Sequence, residues 1–232
     1  ECIRMHATGK YIFVEYAGVP LTLCNQRCRE WRHPYGYQGS AATLSSAGCG
    51  VFATAHATQY ISGRFLLPDA LAEFSLQNGG RGDDGTDRPA LLSAMEKSGL
   101  AAACGFSYHF DGLLNDREQL FSHLLEGGVA LCNLRPGHIV ALLGARRENG
   151  EAQVLAMDSY SESGDARILP VLRGCLPGSE IISLLRNNEG VCGGLQLTYG
   201  LYWAALDTVR DFNLLHRLSQ AEDREEFRRY FR

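Results

Sequence analysis

The stretch Gly137-His-Ile-Val-Ala-Leu-Leu-Gly-Ala-Arg-Arg-Glu-Asn-Gly-Glu-Ala-Gln-Val-Leu-Ala-Met-Asp158 decides the fold. Asn149-Gly150 between two apolar runs is the strongest short-range hairpin signal, because the favoured two-residue turn needs positive φ at both central positions. The run Ile139–Ala145 falls far short of the roughly 20 residues that span a bilayer, so it reads as a buried strand. Ala152–Asp158 is its antiparallel partner. The register of that hairpin carries a difficulty. With a two-residue turn, Glu148 pairs with Glu151 and Asp158 falls opposite Ala141, on the wrong face for His138. A β-bulge at Gly144 or within Arg146–Glu148 is needed to bring the two together, since one extra residue moves a side chain to the other face.

Outward from the hairpin, Val129–Leu134 reads as a further strand, and the chain before it is mostly helical. Val51, Ala55, Thr58 and Ile61 recur at helical spacing with Gly63 as C-cap, and Ser45 and Ser46 are N-cap types. A helix starts at Pro68-Asp69 and ends before Asn78-Gly79-Gly80. Pro89–Ser98 and Asp116–Leu125 are helices ended by Gly99 and Gly127. Helices followed by antiparallel strands give an α+β class. Tyr11–Tyr16 is rich in β-formers and is broken by Pro20. Beyond Pro170 the reading is helical, with Trp203–Leu218 a long amphipathic helix and Phe227, Tyr230 and Phe231 on one face of a terminal helix.

The 232 residues are 45% hydrophobic and 21% charged, ordinary for one soluble core with an appendage. A net charge of −4 gives no electrostatic footing for nucleic acid, which needs a dense basic face. The chain opens on Glu1 rather than methionine, consistent with an upstream piece having been removed. No signal peptide is legible, and a removed one would leave no trace. Eight cysteines permit disulfides, yet Cys104 and Cys132 sit in apolar strand-like segments where free thiols behave as small hydrophobes. The expectation is reduced thiols, favouring the cytoplasm, with a secreted location left open. Cys24 and Cys28 have zinc-like spacing but no two further ligands nearby, so they read as half-buried cysteines on one helical face. The Gly79–Asp87 loop contains Arg81-Gly82-Asp83 and resembles a single calcium-binding nonapeptide unit. Such units bind only when stacked, so it reads as a surface loop.

Thiol chemistry needs a sulfur held as thiolate, a base beside it and donors for the developing oxyanion. The first turn of a helix favours an anion, because its N–H groups are unpaired and the dipole is positive there. Cys49 lies at such a point, between Gly48 and Gly50, which let the backbone turn and leave room for a substrate. Of seven histidines, His6, His33 and His216 lie outside the central region. His56 is two turns up the same helix and reads as packed, while His109 and His123 sit on a strand edge and a helix. His138 opens an apolar strand after Arg135-Pro136-Gly137, and a strand mouth presents side chains to a cleft. Asp158 ends the next strand, where a carboxylate can fix the imidazole tautomer.

These stretches, Ser45-Ser-Ala-Gly-Cys-Gly-Val-Phe-Ala-Thr-Ala, Gly137-His-Ile-Val-Ala-Leu-Leu-Gly and Val154-Leu-Ala-Met-Asp, resemble the stand-alone relatives of the bacteriocin-processing, double-glycine leader peptidases. That family belongs to the papain-like cysteine peptidases. The resemblance runs from about Tyr35 to Pro170 and includes the Asn78-Gly-Gly…Gly85-Thr86 linker. It implies a papain-like fold in which a helical part bears Cys49 as nucleophile and an antiparallel sheet bears His138 as base and Asp158 as orienting residue. The family's oxyanion-hole glutamine usually lies about six residues before the cysteine. Thr43 holds that place here, so Gln38 in Tyr35-Gly-Tyr-Gln-Gly is the candidate. Val51 stands where relatives often have proline. Three parts are expected: an extension at 1–34, a core at 35–170 and a helical extension at 171–232.

The expected activity is hydrolysis of a peptide or amide bond through a thioester, with a peptide or protein as partner and no metal or organic cofactor. No membrane-spanning segment and no nucleic-acid partner are expected. Acyl transfer or a general amidase activity would share the first half-reaction, and a non-catalytic peptide-binding module of the same fold is the rival from another class.

Overall fold

The computed structural model describes residues 10–16, 19–135, 137–160 and 200–218. Its centre is a six-stranded, wholly antiparallel sheet built from β5 (Phe106–Ser107), β6 (Val129–Arg135), β7 (His138–Glu148), β8 (Glu151–Met157), β9 (Leu201–Ala205) and β10 (Asp211–Arg217). The spatial order is β5-β10-β6-β7-β8-β9. Ahead of it come the hairpin of β1 (Tyr11–Tyr16) and β2 (Val19–Cys24), helices α1 (Leu44–Ala47), α2 (Cys49–Ser62) and α3 (Pro68–Gln77), and a small hairpin of β3 (Arg81–Gly82) and β4 (Gly85–Thr86). Helices α4 (Arg88–Ser98), α5 (Leu100–Ala103) and α6 (Arg117–Leu125) complete the order. The class is mixed α+β with an antiparallel sheet. Among the described residues no helix is long and apolar enough to cross a membrane.

Both faces of the sheet are covered, which explains the unbroken apolar run of β7. Strand alternation sends Leu131, Ile139, Ala141, Leu143 and Met157 towards α2, where Val51, Phe52 and Ala55 await them. Ala130, Cys132, Val140, Leu142, Val154 and Ala156 face the other way, against Leu120, Phe121 and Leu124 of α6. Phe52 is fully buried against Trp31, with ring centroids 5.0 Å apart. Truncation to alanine there costs about 3–5 kcal/mol, the lost transfer energy plus the cavity.

The β7–β8 turn has φ of 51° at Asn149 and 84° at Gly150, as the Asn-Gly signal predicts. The required bulge is present. Pairing runs from Glu148↔Glu151 to Gly144↔Leu155, then resumes at Leu142↔Ala156 and Ala141↔Met157, leaving Leu143 as the extra residue. Continuing that register sets Asp158 opposite Val140, on the face His138 shares. Its backbone N–H donates to the Gly200 carbonyl at 2.7 Å, joining the end of β8 to the start of β9.

Several expectations need correction. Trp203–Leu218 is not a helix; it forms most of β9 and all of β10, separated by a single 3₁₀ turn at Leu206–Thr208. Apolar residues at 206, 209, 212 and 215 imitate a helical period, but β6 and β8 otherwise expose unpaired backbone edges, and satisfying those groups outweighs local propensity. The sheet therefore continues past residue 170. The rest of the expected helical extension, including Phe227, Tyr230 and Phe231, lies outside the described residues, as does His6. The N-terminal part is no separate extension either, because Leu21, Leu23, Cys24, Cys28 and Trp31 belong to the same core as α2. Pro20 pairs with Glu15 inside the β1–β2 hairpin rather than ending a strand. Cys24 closes β2 and Cys28 sits in the turn beyond it, so they share no helical face; both are buried free thiols.

Candidate active site

Cys49 is the first residue of α2, and the chain is delivered to it by the short α1. Thr43 caps α1 in a reciprocal box with Ser46, whose hydroxyl accepts from the Thr43 N–H at 2.9 Å. Ser45 and Ser46 lie within α1 rather than capping α2, whose N-cap is Gly48. The glycines flanking the cysteine make room for the protein itself. A Cβ on Gly48 would stand 2.5 Å from the Leu44 carbonyl oxygen, and one on Gly50 would stand 2.4 Å from the Cβ of Thr86. Gly50 thus lets the β3–β4 hairpin lie directly on the start of α2. Thr86 Oγ1 lies 2.8 Å from the Tyr35 hydroxyl, which is in turn 2.9 Å from Ser75 Oγ.

His138, at the mouth of β7, places Nε2 2.6 Å from Asp158 Oδ1. The thiol of Cys49 lines the same cleft and lies close enough to the ring to favour its protonated form. With Nε2 taken by the carboxylate, Nδ1 is the nitrogen left for the sulfur. The His138 side chain is 16% exposed and that of Asp158 is 0% exposed. Burial opposes charge on the imidazole, but the hydrogen bonds and charges of Asp158 and Cys49 outweigh it and carry the ring up to about 9. Burial likewise opposes charge on Asp158. His138, the Tyr202 hydroxyl and the Tyr160 N–H together hold the carboxylate below its ordinary range. The Tyr202 hydroxyl donates to Oδ2 at 2.7 Å and the Tyr160 N–H to Oδ1 at 2.9 Å.

Cys49 and His138 open onto a cleft of about 630 Å³. One wall is the β3–β4 hairpin with Arg81, Asp83 and Asp84, so the loop expected to be mere surface borders the nucleophile. Arg81 acts as its internal brace, donating from Nε to the Tyr35 carbonyl at 3.0 Å and from a terminal nitrogen to the Gly85 carbonyl at 3.0 Å. The opposite side carries Tyr160, 53% exposed, whose ring meets that of His138 edge-on at 6.2 Å.

Gln38 is not part of this arrangement. It lies on an exposed turn with φ of 49°, away from the cleft lining. The glutamine that does line the cleft beside Cys49 is Gln26, only 4% exposed. Its Oε1 accepts from the Ser159 hydroxyl at 2.8 Å and its Nε2 donates to the Ser45 carbonyl at 3.2 Å. The Gln26 N–H also donates to the Ser159 carbonyl at 2.9 Å. No local pattern in the sequence marks Gln26, because only this long-range pairing with the end of β8 brings it to the nucleophile. Tyr202 escaped notice for the same reason; the aromatic pair Tyr202-Trp203 after Gly200 was the strand signal that would have found it.

Among the described residues, four other histidines stand apart. His56 is fully buried on α2, accepting from the Cys24 N–H at 2.8 Å, and burial holds it down at about 4. His109 and His216 stack at 3.8 Å with His123 edge-on to His216, in a group around β10 and α6. Among the described residues no three His, Cys, Asp or Glu side chains converge as a metal site.

No family model matches the sequence, and no curated protein matches it either.

Proposed function

We propose that the chain is a papain-like cysteine hydrolase that cleaves a peptide or amide bond through a thioester. The reading is carried by one observation: the His138 ring, bonded to the buried Asp158 carboxylate, shares a cleft with the Cys49 thiol at a helix N-terminus.

In this mechanism His138 Nδ1 takes the thiol proton and the sulfur attacks the substrate carbonyl carbon, whose π-electrons move to oxygen. The Cys49 N–H, one of the N–H groups a first helical turn leaves unpaired, and the Gln26 amide donate to that oxyanion. Gln26 takes the part first given to Gln38. Both polar ends of its side chain are already bonded, so it is presented without reorganisation. The tetrahedral intermediate collapses, the C–N bond breaks, and imidazolium His138 returns the proton to the departing amine. His138 then takes a proton from water, hydroxide adds to the thioester, and the acid leaves as the thiol is regenerated. Asp158 stays ionised throughout and fixes the ring.

The test is competitive labelling with iodoacetamide near pH 6, read residue by residue by mass spectrometry, followed by a panel of peptide and thioester substrates. Cys49 should be alkylated far faster than the other cysteines, and the panel should yield free acid from at least one substrate class. Equal labelling of all accessible thiols would leave only a binding module of this fold.

A further inference from the structure

The Asp158 carboxylate is enclosed, its side chain 0% exposed. Its Oδ1 already serves His138 Nε2 at 2.6 Å and the Tyr160 N–H at 2.9 Å. A contact on the other oxygen opposes rotation of the carboxylate about its Cβ–Cγ bond, a rotation that would carry the imidazole with it. The remaining oxygen, Oδ2, accepts the Tyr202 hydroxyl at 2.7 Å, a charge-assisted bond of the strong class.

The placement of Tyr202 is built into the sheet. It sits on β9 opposite Ala156, on the same side of the strand pair as the residue two further along the chain, Asp158, just past the end of β8. The approach is set by Gly200, whose carbonyl accepts the Asp158 N–H at 2.7 Å. A Cβ on Gly200 would stand 2.6 Å from the Asp158 carbonyl oxygen and 2.6 Å from Leu23 Cδ1, so β9 comes this close only with glycine there. The main chain leading into β9 and the Tyr202 side chain on it therefore grip the same aspartate.

We infer that Tyr202 is a positioning residue of the hydrolytic assembly, its phenol fixing the Asp158 carboxylate in the orientation that holds the His138 ring against Cys49. The inference rests on the cysteine-hydrolase reading above, and it extends the working unit to four side chains, the fourth from a strand past residue 200. Tyr202 touches no reacting atom. It acts through Asp158, favouring the ionised carboxylate and removing its rotation.

The experiment measures the rate of Cys49 alkylation by iodoacetamide from pH 3 to 9 in the full chain, comparing wild type with Tyr202→Phe. Losing the hydroxyl is expected to slow plateau labelling about tenfold, the scale of one hydrogen bond to a charged group. It should also move the acid limb of the profile up by roughly 0.5–1 pH unit, because the carboxylate loses a donor to its charged form. A residue that merely packs would leave the limb in place. In an Asp158→Asn background the same substitution should add less than about twofold, since the path through the carboxylate is gone. A site-specific 3-fluorotyrosine at position 202 keeps the packing and strengthens the donor, so the limb should move the other way, and this variant serves if the phenylalanine chain fails to fold. An unmoved limb in the folded variant, or full additivity with Asp158→Asn, overturns the inference while leaving the hydrolase reading intact. Wild-type Cys49 labelling no faster than the other thiols overturns both.

Discussion

His138 and His56 both feel the charge of Asp158, yet the protein drives them in opposite directions. At the cleft end of the sheet, His138 is carried up to about 9 despite its burial, because it is bonded directly to the carboxylate and has the thiol nearby. On the flank of α2, His56 is completely buried, and desolvation pushes it down to about 4 although Asp158 favours its charge. One ring works as a chargeable group and the other as a neutral acceptor for the Cys24 N–H. The lesson concerns contact. Nearby negative charge does not keep a buried imidazole protonated; a short hydrogen bond to that charge does.

The sharpest way to break this comparison is to delete each ring. His138→Ala should lower turnover and Cys49 alkylation by about 10²–10⁴-fold, a loss of rate larger than the roughly 1–3 kcal/mol of stability that goes with the ring, and parallel kinetics and calorimetry would read both. His56→Ala should do the reverse. It leaves the Cys24 N–H without an acceptor and opens a cavity, costing about 2–4 kcal/mol in denaturant unfolding, with activity per folded molecule retained. Similar kinetic losses in the two variants would erase the distinction drawn between them.

The next prediction concerns the oxyanion. Gln26→Ala should reduce turnover by about 10²-fold or somewhat more, whereas Gln38→Ala on its exposed turn should match wild type. A larger loss at Gln38 than at Gln26 would reverse the assignment.

The smallest expected effect is in stability against pH, and its sign differs between the two rings. His138 has a folded value above its ordinary 6.5, so its contribution is complete below about pH 6.5 and is lost as pH rises towards 9. His56 has a folded value below 6.5, so the unfolded chain takes up the extra proton and stability is lost as pH falls from about 6.5 towards 4. Each window should span on the order of 1–3 kcal/mol in urea unfolding. His138→Gln should flatten the alkaline limb. His56→Gln should flatten part of the acid limb, the remainder belonging to His216, which burial and the neighbouring His109 and His123 also hold at about 4.

Much of this was legible along the chain. The hairpin at Asn149-Gly150, the helix from Cys49 to its Gly63 cap, and the need for a bulge all follow from local rules, because turn φ values, caps and side-chain alternation are properties of neighbours in sequence. The elements that carry Cys49, His138 and Asp158 are announced as well, although their meeting is a matter of tertiary packing. Local pattern could not supply the partners that complete the site. Gln26 and Tyr202 reach it from opposite ends of the chain by pairing with the end of β8, and the hairpin of residues 81–86 reaches it by lying on Gly50. Those arrivals depend on which backbone edges remain unpaired and where a missing Cβ permits close approach. Such quantities exist only once the sheet is assembled, and for that reason Leu201–Ala205 and Asp211–Arg217, helical by period, became strands.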